Sequence, residues 1–472
     1  MRTLPALLGL FALLGAGSVQ AASRLTSVEV RQVQPDRTYG GVVYVRVSGS
    51  VRGVVAPGEA VVGLEKLPKN AAGEYEYASG FEIIAPATGQ PQNEIVYVDA
   101  ENRGSAISQG ALGGFLQNHA TSYARVQWQT GVSPGVPETA QGVGLVIVRD
   151  FARWLSGRTP QTPVSGEFKP AAYDKLILGG ISQSAWLVNT FVAEGFNADP
   201  TTGKRLFDGA IAIDGLGNWL AINRIGFERG APMSPYVDPE GRPLTRKAML
   251  SRPQTDPFFV DVANYTDYYR LRASFTALDD PGGRFRRYDF PSPHAVGTTQ
   301  GAARCNNGQP IEFNTLRYAP YMRALVLGLE KQLGVKAAAR ARGLPPSAVF
   351  ELTKAPEKSE FFNPLAAAEL QVPSTDADGW PLGGVRFPDA DLPLGIPAPV
   401  AVPPVTTTSI NATCGNFGGF RRFDAAEAIR RYGSRAAYRK EYAAKVDRLI
   451  ARGFLLAEDK AGLVETAGAV LP

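Results

Sequence analysis

The sequence predicts an α/β fold: a mostly parallel central sheet with helices on both faces, an N-terminal β-rich part, one insertion and a Pro-rich C-terminal strap. Three observations lead there. Strand-like and helix-like segments alternate from about residue 94 to residue 290, a pattern that calls for right-handed crossovers and a parallel sheet. The strand-like segments are short and nearly all apolar, as in "KLILGG" and "FDGAIAID", which suits strands covered on both faces. The chain has 472 residues, 44% of them apolar and 20% charged, enough to bury a large core without covalent staples.

Taken in order, the first 21 residues read as a secretory leader. Arg2 precedes an apolar run from Leu4 to about Leu14, and Val19-Gln20-Ala21 forms a small-x-small cleavage site before Ala22. The run is too short to span about 30 Å of hydrocarbon. The expectation is therefore an exported chain, periplasmic or secreted, whose mature part is a single domain over 22–472. Residues 25–98 alternate or cluster β-branched residues between Gly and Pro turns and read as strands. Strands follow at 94–100, 123–128, 175–180, 207–214, 258–264 and 285–290. Helices are expected at 105–118, 144–155, 185–196 and 321–333.

Residues 216–256 are rich in Pro, Gly and Arg and lie between two strands, so they read as an insertion over the sheet. Residues 340–472 form the strap and terminal helices. Within them 386–419, with "FPDADLPLGIPAPVAVPP", hold too many prolines for a helix and read as extended. The basic stretch 421–452 has helical spacing and reads as a solvated helix face. Only two cysteines exist, Cys305 and Cys414. In an oxidising compartment they are expected to pair, closing a loop of more than a hundred residues worth about 4.7 kcal/mol by chain entropy.

The charge balance excludes some classes. Net charge is +5, from 49 basic and 44 acidic residues spread along the chain, which is no nucleic-acid signature. No segment beyond the leader is long and apolar enough to cross a bilayer. His119, His294 and the two cysteines have no metal-ligand spacing. "DADG" at 376–379 lacks the later acidic ligands of a calcium loop and reads as a turn. No cofactor is expected.

The chemistry centres on "LILGGISQSAW", residues 176–186. A nucleophilic serine needs a hydroxyl clear of its neighbours, a base beside it and N–H donors for an oxyanion. A sharp strand-to-helix turn supplies the first and part of the last, provided small residues stand two positions before and after the serine. Gly180 and Ser184 hold those places around Ser182. The N–H of Gln183, opening the helix, would face the oxyanion. A second donor is expected in the loop after the strand 94–100, at Arg103 and Gly104, where glycine permits close backbone approach. "GVSPG", 131–135, matches G-x-S-x-G better, but Pro134 after Ser133 has no N–H to give and no helix follows.

Chain order then narrows the partners, because on such a turn the serine is followed by its acid and then its histidine. His119 precedes Ser182, so His294 is the base. The acid is expected at Asp267, just past the strand 258–264, with Asp214 at the end of the previous strand as its rival. Asp279 and Asp280 sit in a turn, "LDDPGG".

Several segments together resemble a bacterial family known as "alpha/beta hydrolase domain" proteins. They are Asn102-Arg103-Gly104 after a strand, Gly180-Ile181-Ser182-Gln183-Ser184, Asp267-Tyr268-Tyr269, and His294 after "RRYDF". "GLPPS", "TDADGWPLGGVRFPD" and "LIARGFLLAED" follow further on. The likeness covers nearly the whole mature chain. It implies the α/β-hydrolase fold and a serine hydrolase with esterase-type activity, and little about the substrate, which is expected to be a small-molecule ester. The family often has Glu-Tyr-Trp where this chain has Asp267-Tyr268-Tyr269, and Trp186 brings bulk close to the serine turn. The substrate pocket is expected under residues 216–256, with Trp219, Tyr236 and Tyr269 as its roof. Competing expectations are a non-catalytic envelope binding protein on the same scaffold, and an acyltransferase or peptidase.

Overall fold

The alternating segments close into one ten-stranded sheet in the computed structural model. It describes residues 22–129, 140, 142–169, 171–216, 218–223, 235–236, 245–271, 273–277, 279–294, 302–304, 310–354, 371–399, 418–469 and 471. The leader, Ser133, Cys305, Cys414 and most of the insertion lie outside these residues. The strands are β1 (Arg24–Tyr39), β2 (Val42–Val55), β3 (Tyr75–Pro86), β4 (Ile95–Ala100), β5 (Thr121–Val126), β6 (Val164–Ser165), β7 (Lys175–Ile181), β8 (Gly209–Ile213), β9 (Phe258–Asn264) and β10 (Phe285–Phe290). Their order across the sheet is β10-β9-β8-β7-β4-β5-β3-β2-β1-β6. From β5 to β10 every neighbour is parallel, whereas β1, β2 and β3 are antiparallel and extend the same sheet. The N-terminal β-rich part is thus continuous with the parallel sheet.

The strands alternate their side chains between two apolar layers, as strand geometry requires. In β4, Val96, Val98 and Ala100 face one layer, while Ile95 and Tyr97 face the other. Helices α1 (Val143–Leu155) and α2 (Gln183–Ala193) cover the first layer. Helices α3 (Ala319–Gln332) and α4 (Arg435–Arg452) cover the second. In α4 the buried residues are Tyr438, Tyr442, Val446 and Leu449, a helical stripe, and the basic residues lie mostly outward. Among the described residues no helix is long and apolar enough to cross a membrane.

Two expectations need correction. The helix expected over 105–118 is two short helices, Gln109–Leu112 and Phe115–Asn118. Gly114 between them takes φ 76°, a left-handed turn that breaks the run. The proline-rich stretch is not extended throughout either. Pro388–Asp391 is a helical turn with Pro388 at its first position, where proline's missing N–H is no loss. Gly395–Ala398 then pairs antiparallel with Gly419–Arg422. The "DADG" segment is a turn, with Asp376 Oδ1 accepting from the backbone of Asp378 and Trp380. Its carboxylates pair with Arg386 and Arg431.

Buried charge ties the insertion to the sheet. Arg246, fully buried, donates to both oxygens of Asp261 on β9, at 3.1 and 2.9 Å. Arg287 on β10 donates to Asp261 at 2.8 Å and to Asp289 at 2.6 Å. Tyr268 donates to Asp289 as well. The chain of charges runs Arg246–Asp261–Arg287–Asp289.

Candidate active site

The strand β7 ends at Ile181, and the helix α2 begins at Gln183. Ser182 alone makes the corner, at φ 59°, ψ −123°, a backbone conformation that L residues adopt only under constraint. The constraint is visible. Ser182 N–H donates to Ile213 O of β8 at 2.8 Å, and Ser182 O accepts the N–H of Trp186 at 3.1 Å. Of residues 176–192, only Ser182 is not buried. A side chain on Gly180 would lie 2.5 Å from Ser184 O and 2.8 Å from Ala185 N, so strand and helix can cross this closely only over glycine. Ser184 occupies the second small position. Its hydroxyl accepts from Ile181 N–H at 2.8 Å and donates to Ile181 O at 2.9 Å, stapling the helix to the strand end.

His294 arrives from the segment after β10. Its Nε2 lies 2.9 Å from Ser182 Oγ, although the two are 112 positions apart in the chain. Its Nδ1 lies 2.7 Å from Asp267 Oδ1. The carboxylate fixes the ring as the Nδ1–H tautomer, so Nε2 presents its lone pair to the serine hydroxyl. His294 N–H also donates to Thr266 Oγ1 at 2.7 Å, seating the ring's backbone. Asp267 opens a single helical turn, Asp267–Arg270, and its Oδ2 accepts Asn264 N–H at 2.8 Å. Burial opposes its ionisation. The His294 charge and hydrogen bond, a hydrogen bond to Asp214 and the Asn264 N–H outweigh that and hold the carboxyl below its ordinary range.

Asp214, the rival acid, is at the same place but at longer range. Its Oδ2 is 3.5 Å from His294 Nδ1, and its Oδ1 accepts from Asn264 Nδ2 at 2.7 Å. Asp214, Asp267 and His294 bring ligand atoms within 4.8 Å of one another, as a metal site would. Yet Nδ1 carries a proton for Asp267, which leaves an N–H and no lone pair on that side of the ring. The cluster is built as a hydrogen-bonded chain.

The expected oxyanion loop is in reach of the serine corner. Arg103 and Gly104 both take positive φ, 50° and 79°, in a tight turn closed by the Asn102–Ser105 pair at 2.9 and 3.0 Å. Asn102 Nδ2 donates to Ile181 O at 3.0 Å, which fastens this turn to the residue before Ser182. Gln183 is the first helical residue, so its N–H has no carbonyl partner one turn back. The Gln183 carboxamide is buried and makes no hydrogen bond among the described residues.

Sequence reading gave no supporting role to Asn102, Asn264, Thr266 or Ser292. Asn264 is the hub: it donates to Asp214 through Nδ2 and to Asp267 through its backbone, and accepts from Ser292 Oγ at 2.5 Å. Its one signal is a polar residue ending the apolar strand "FFVDVAN". Among the expected roof residues, Trp219 is buried on a two-residue strand paired with Pro235–Tyr236. Tyr269 is half-buried and packs edge-on to Tyr265.

The family comparison agrees with this architecture. A family described as "Alpha/beta hydrolase domain" matches residues 20–465. No curated protein matches. Among solved structures, a CE15 glucuronoyl esterase from Teredinibacter turnerae T7901 is similar at 13% identity and TM-score 0.29. That match covers 51% of this chain and 61%, less than two thirds, of the esterase. Est1E from Butyrivibrio proteoclasticus is 12% identical with TM-score 0.26, covering 45% of this chain and 85% of its own. An S-formylglutathione hydrolase from Agrobacterium tumefaciens is 10% identical with TM-score 0.29, covering 55% and 91%.

Proposed function

The chain belongs to the alpha/beta hydrolase domain family, and on that premise we propose that it is a serine hydrolase cleaving carboxylic esters of small molecules. The observation that carries the reading is the run of hydrogen bonds from Ser182 Oγ to His294 to Asp267, at 2.9 and 2.7 Å. Ser182 Oγ attacks the ester carbonyl as its proton passes to His294 Nε2. The C–O bond forms and the carbonyl becomes an oxyanion. Backbone N–H groups of Gln183 and of the Arg103–Gly104 turn receive that charge, each worth about 3–4 kcal/mol in such sites. Collapse breaks the bond to the alcohol, which leaves with the proton from Nε2. Water, deprotonated by the same nitrogen, then releases the acid and restores Ser182. Asp267 stays ionised throughout, fixing the ring and stabilising its cation.

The reading extends to location: the N-terminal 21 residues act as an export leader, so the enzyme works in the periplasm or outside the cell. N-terminal sequencing of the exported protein should begin at Ala22. Activity is tested with a p-nitrophenyl ester panel and a fluorophosphonate probe. The wild type should turn over short esters and carry the probe on Ser182. Ser182→Ala should lose labelling and Ser182→Ala and His294→Ala should each lose at least about 10³-fold in kcat. An unlabelled, inactive wild type would favour a binding scaffold, and turnover only with alcohol or amine acceptors would favour an acyltransferase.

A further inference from the structure

We propose that the ester accepted here carries hydroxyl groups, as a sugar or polyol ester does, and that Gln183, Glu101 and Gln129 select it by hydrogen bonds; this deepens the hydrolase reading above and rests on it. The three residues follow the C-terminal ends of β7, β4 and β5, which lie side by side in the order β7-β4-β5. The chain moves outward from β4 to β5 on one side and from β7 to β8 on the other, so its direction across the sheet reverses between β4 and β7. In open parallel sheets such a reversal leaves a crevice at the carboxyl ends of the strands, where ligands bind.

Each of the three residues holds a buried polar atom with no hydrogen-bond partner among the described residues. They are Gln183 Oε1 and Nε2, Glu101 Oε2 and Gln129 Oε1. The residues are 1%, 1% and 6% exposed. Arg149 and Arg153 also leave Nε without a hydrogen bond, but each is bonded through its other two nitrogens. The Gln183 carboxamide is bonded at neither end. An unpaired buried group forfeits its hydration with nothing in return, and native folds keep few of them. Four such atoms beside a nucleophile are accounted for when a bound molecule brings their partners.

One ligand can meet all three, because the strand tails are stitched together. Asn102 Nδ2 donates to Ile181 O at 3.0 Å, tying the residue after Glu101 to the turn before Gln183. Trp128 Nε1 donates to Glu101 O at 2.8 Å, tying the residue before Gln129 to Glu101. Neighbouring strands stand about 4.8 Å apart, so three tails span about 10 Å, room for a sugar ring and its ester arm. Helical Cα–Cβ bonds tilt toward the helix N-terminus. For Gln183, the first residue of α2, that is the end carrying Ser182.

The balance of donors and acceptors names the ligand class. Arg125 Nη1 donates to Glu101 Oε1 at 2.6 Å, and a carboxylate paired with a guanidinium offers acceptors only. The set therefore holds three acceptors, Glu101 Oε2, Gln129 Oε1 and Gln183 Oε1, and one donor, Gln183 Nε2. Hydroxyl groups suit both kinds, since each donates one hydrogen and accepts on its oxygen. A hydrocarbon chain satisfies none of them. A carboxylate on the ligand would set acceptor against acceptor at Glu101.

The experiment uses two pairs of esters matched in carbon skeleton. In the first, 6-O-acetylglucose against cyclohexylmethyl acetate, the hydroxyls are on the alcohol side. In the second, methyl quinate against methyl cyclohexanecarboxylate, they are on the acid side. Acid release is followed by titration, and each kcat/KM is divided by the rate constant of the same ester with hydroxide. In at least one pair the hydroxylated ester should be preferred by about 10²-fold or more. Gln183→Met keeps the length and the backbone N–H and removes the carboxamide. It should cut the preference at least about tenfold. It should also raise the melting temperature of the unliganded protein, because two unpaired polar atoms give way to an apolar side chain. Gln129→Met removes one acceptor and should cut the preference less.

No preference in either pair would overturn the proposal. So would a Gln183→Met protein that melts lower and keeps the wild-type preference, which is the behaviour of a carboxamide serving only the fold. If the wild type turns over none of the four esters, the hydrolase reading fails and binding judges the selection. The two hydroxylated esters should then raise the wild-type melting temperature more than their cyclohexyl counterparts at equal concentration. Equal shifts, or none, would overturn it.

Discussion

Replacing Gly180 with alanine tests why the serine turn needs a residue without a side chain. A Cβ at that position would meet Ser184 O at 2.5 Å, Ser184 C at 2.6 Å and Ala185 N at 2.8 Å. All three belong to the backbone of the first turn of α2, so no rotamer change relieves them. Ordinary carbon contacts start at about 3.5 Å, and the helix start must therefore shift by roughly 0.5–1 Å. Overpacking of this kind costs about 1–3 kcal/mol. Misplacement of reacting groups by about 1 Å costs about 10²-fold in rate. The expected outcome is a melting temperature lower by a few degrees and about 100-fold slower ester turnover and fluorophosphonate labelling. Gly110→Ala is the control. Gly110 lies in a short helix with ordinary φ and nothing within 4 Å of its missing Cβ, so alanine there should be neutral or stabilise by up to about 1 kcal/mol. A Gly180→Ala protein that melts and labels like the wild type would refute the close-crossing argument.

Two further tests address buried charge. Burial pushes the Asp99 carboxyl up to about 7, against hydrogen bonds from Ser108 and Tyr123 that favour its anion. Its folded pKa exceeds the unfolded one, so the native state holds the extra proton. This contribution to stability is full below about pH 4, is lost as pH rises toward 7, and amounts to about 4 kcal/mol. In urea unfolding, Asp99→Asn should remove that part of the pH dependence and gain on the wild type at pH 8; parallel stability profiles for the two proteins would contradict this. Asp261→Asn leaves the guanidiniums of Arg246 and Arg287 facing a neutral group in a fully buried site. It should cost about 3–5 kcal/mol, with part recovered in the double variant with Arg246→Met; a loss below about 1 kcal/mol would mean that water enters this cluster.

Much of the parallel half of the sheet was legible because strands covered on both faces must be apolar along their whole length. Lys175–Ile181, Gly209–Ile213, Phe258–Asn264 and Phe285–Phe290 fall within a few residues of the expected spans. The serine corner was legible because a close crossing leaves a compositional trace, Gly180 before and Ser184 after. His294 followed from scarcity, since only two histidines exist. The split at Gly113-Gly114 was not legible, because apolar spacing continues across it and only the left-handed backbone interrupts the helix. Pro388 misled for the reverse reason: proline forbids a helix interior yet suits a helix start. The roles of Asn102 and Asn264 could not be read at all. Each acts on residues far away in the chain, and a polar residue at a strand end has many ordinary uses.

The bond from Asn102 to the carbonyl before Ser182 has an evolutionary corollary. Ser182 and the Arg103–Gly104 turn are mounted on one bracket of β4, β7 and α2. On the proposed function, substitutions outside that bracket can alter which molecule is accepted without retuning the bond-breaking step. Variation within such a lineage should therefore spare the bracket.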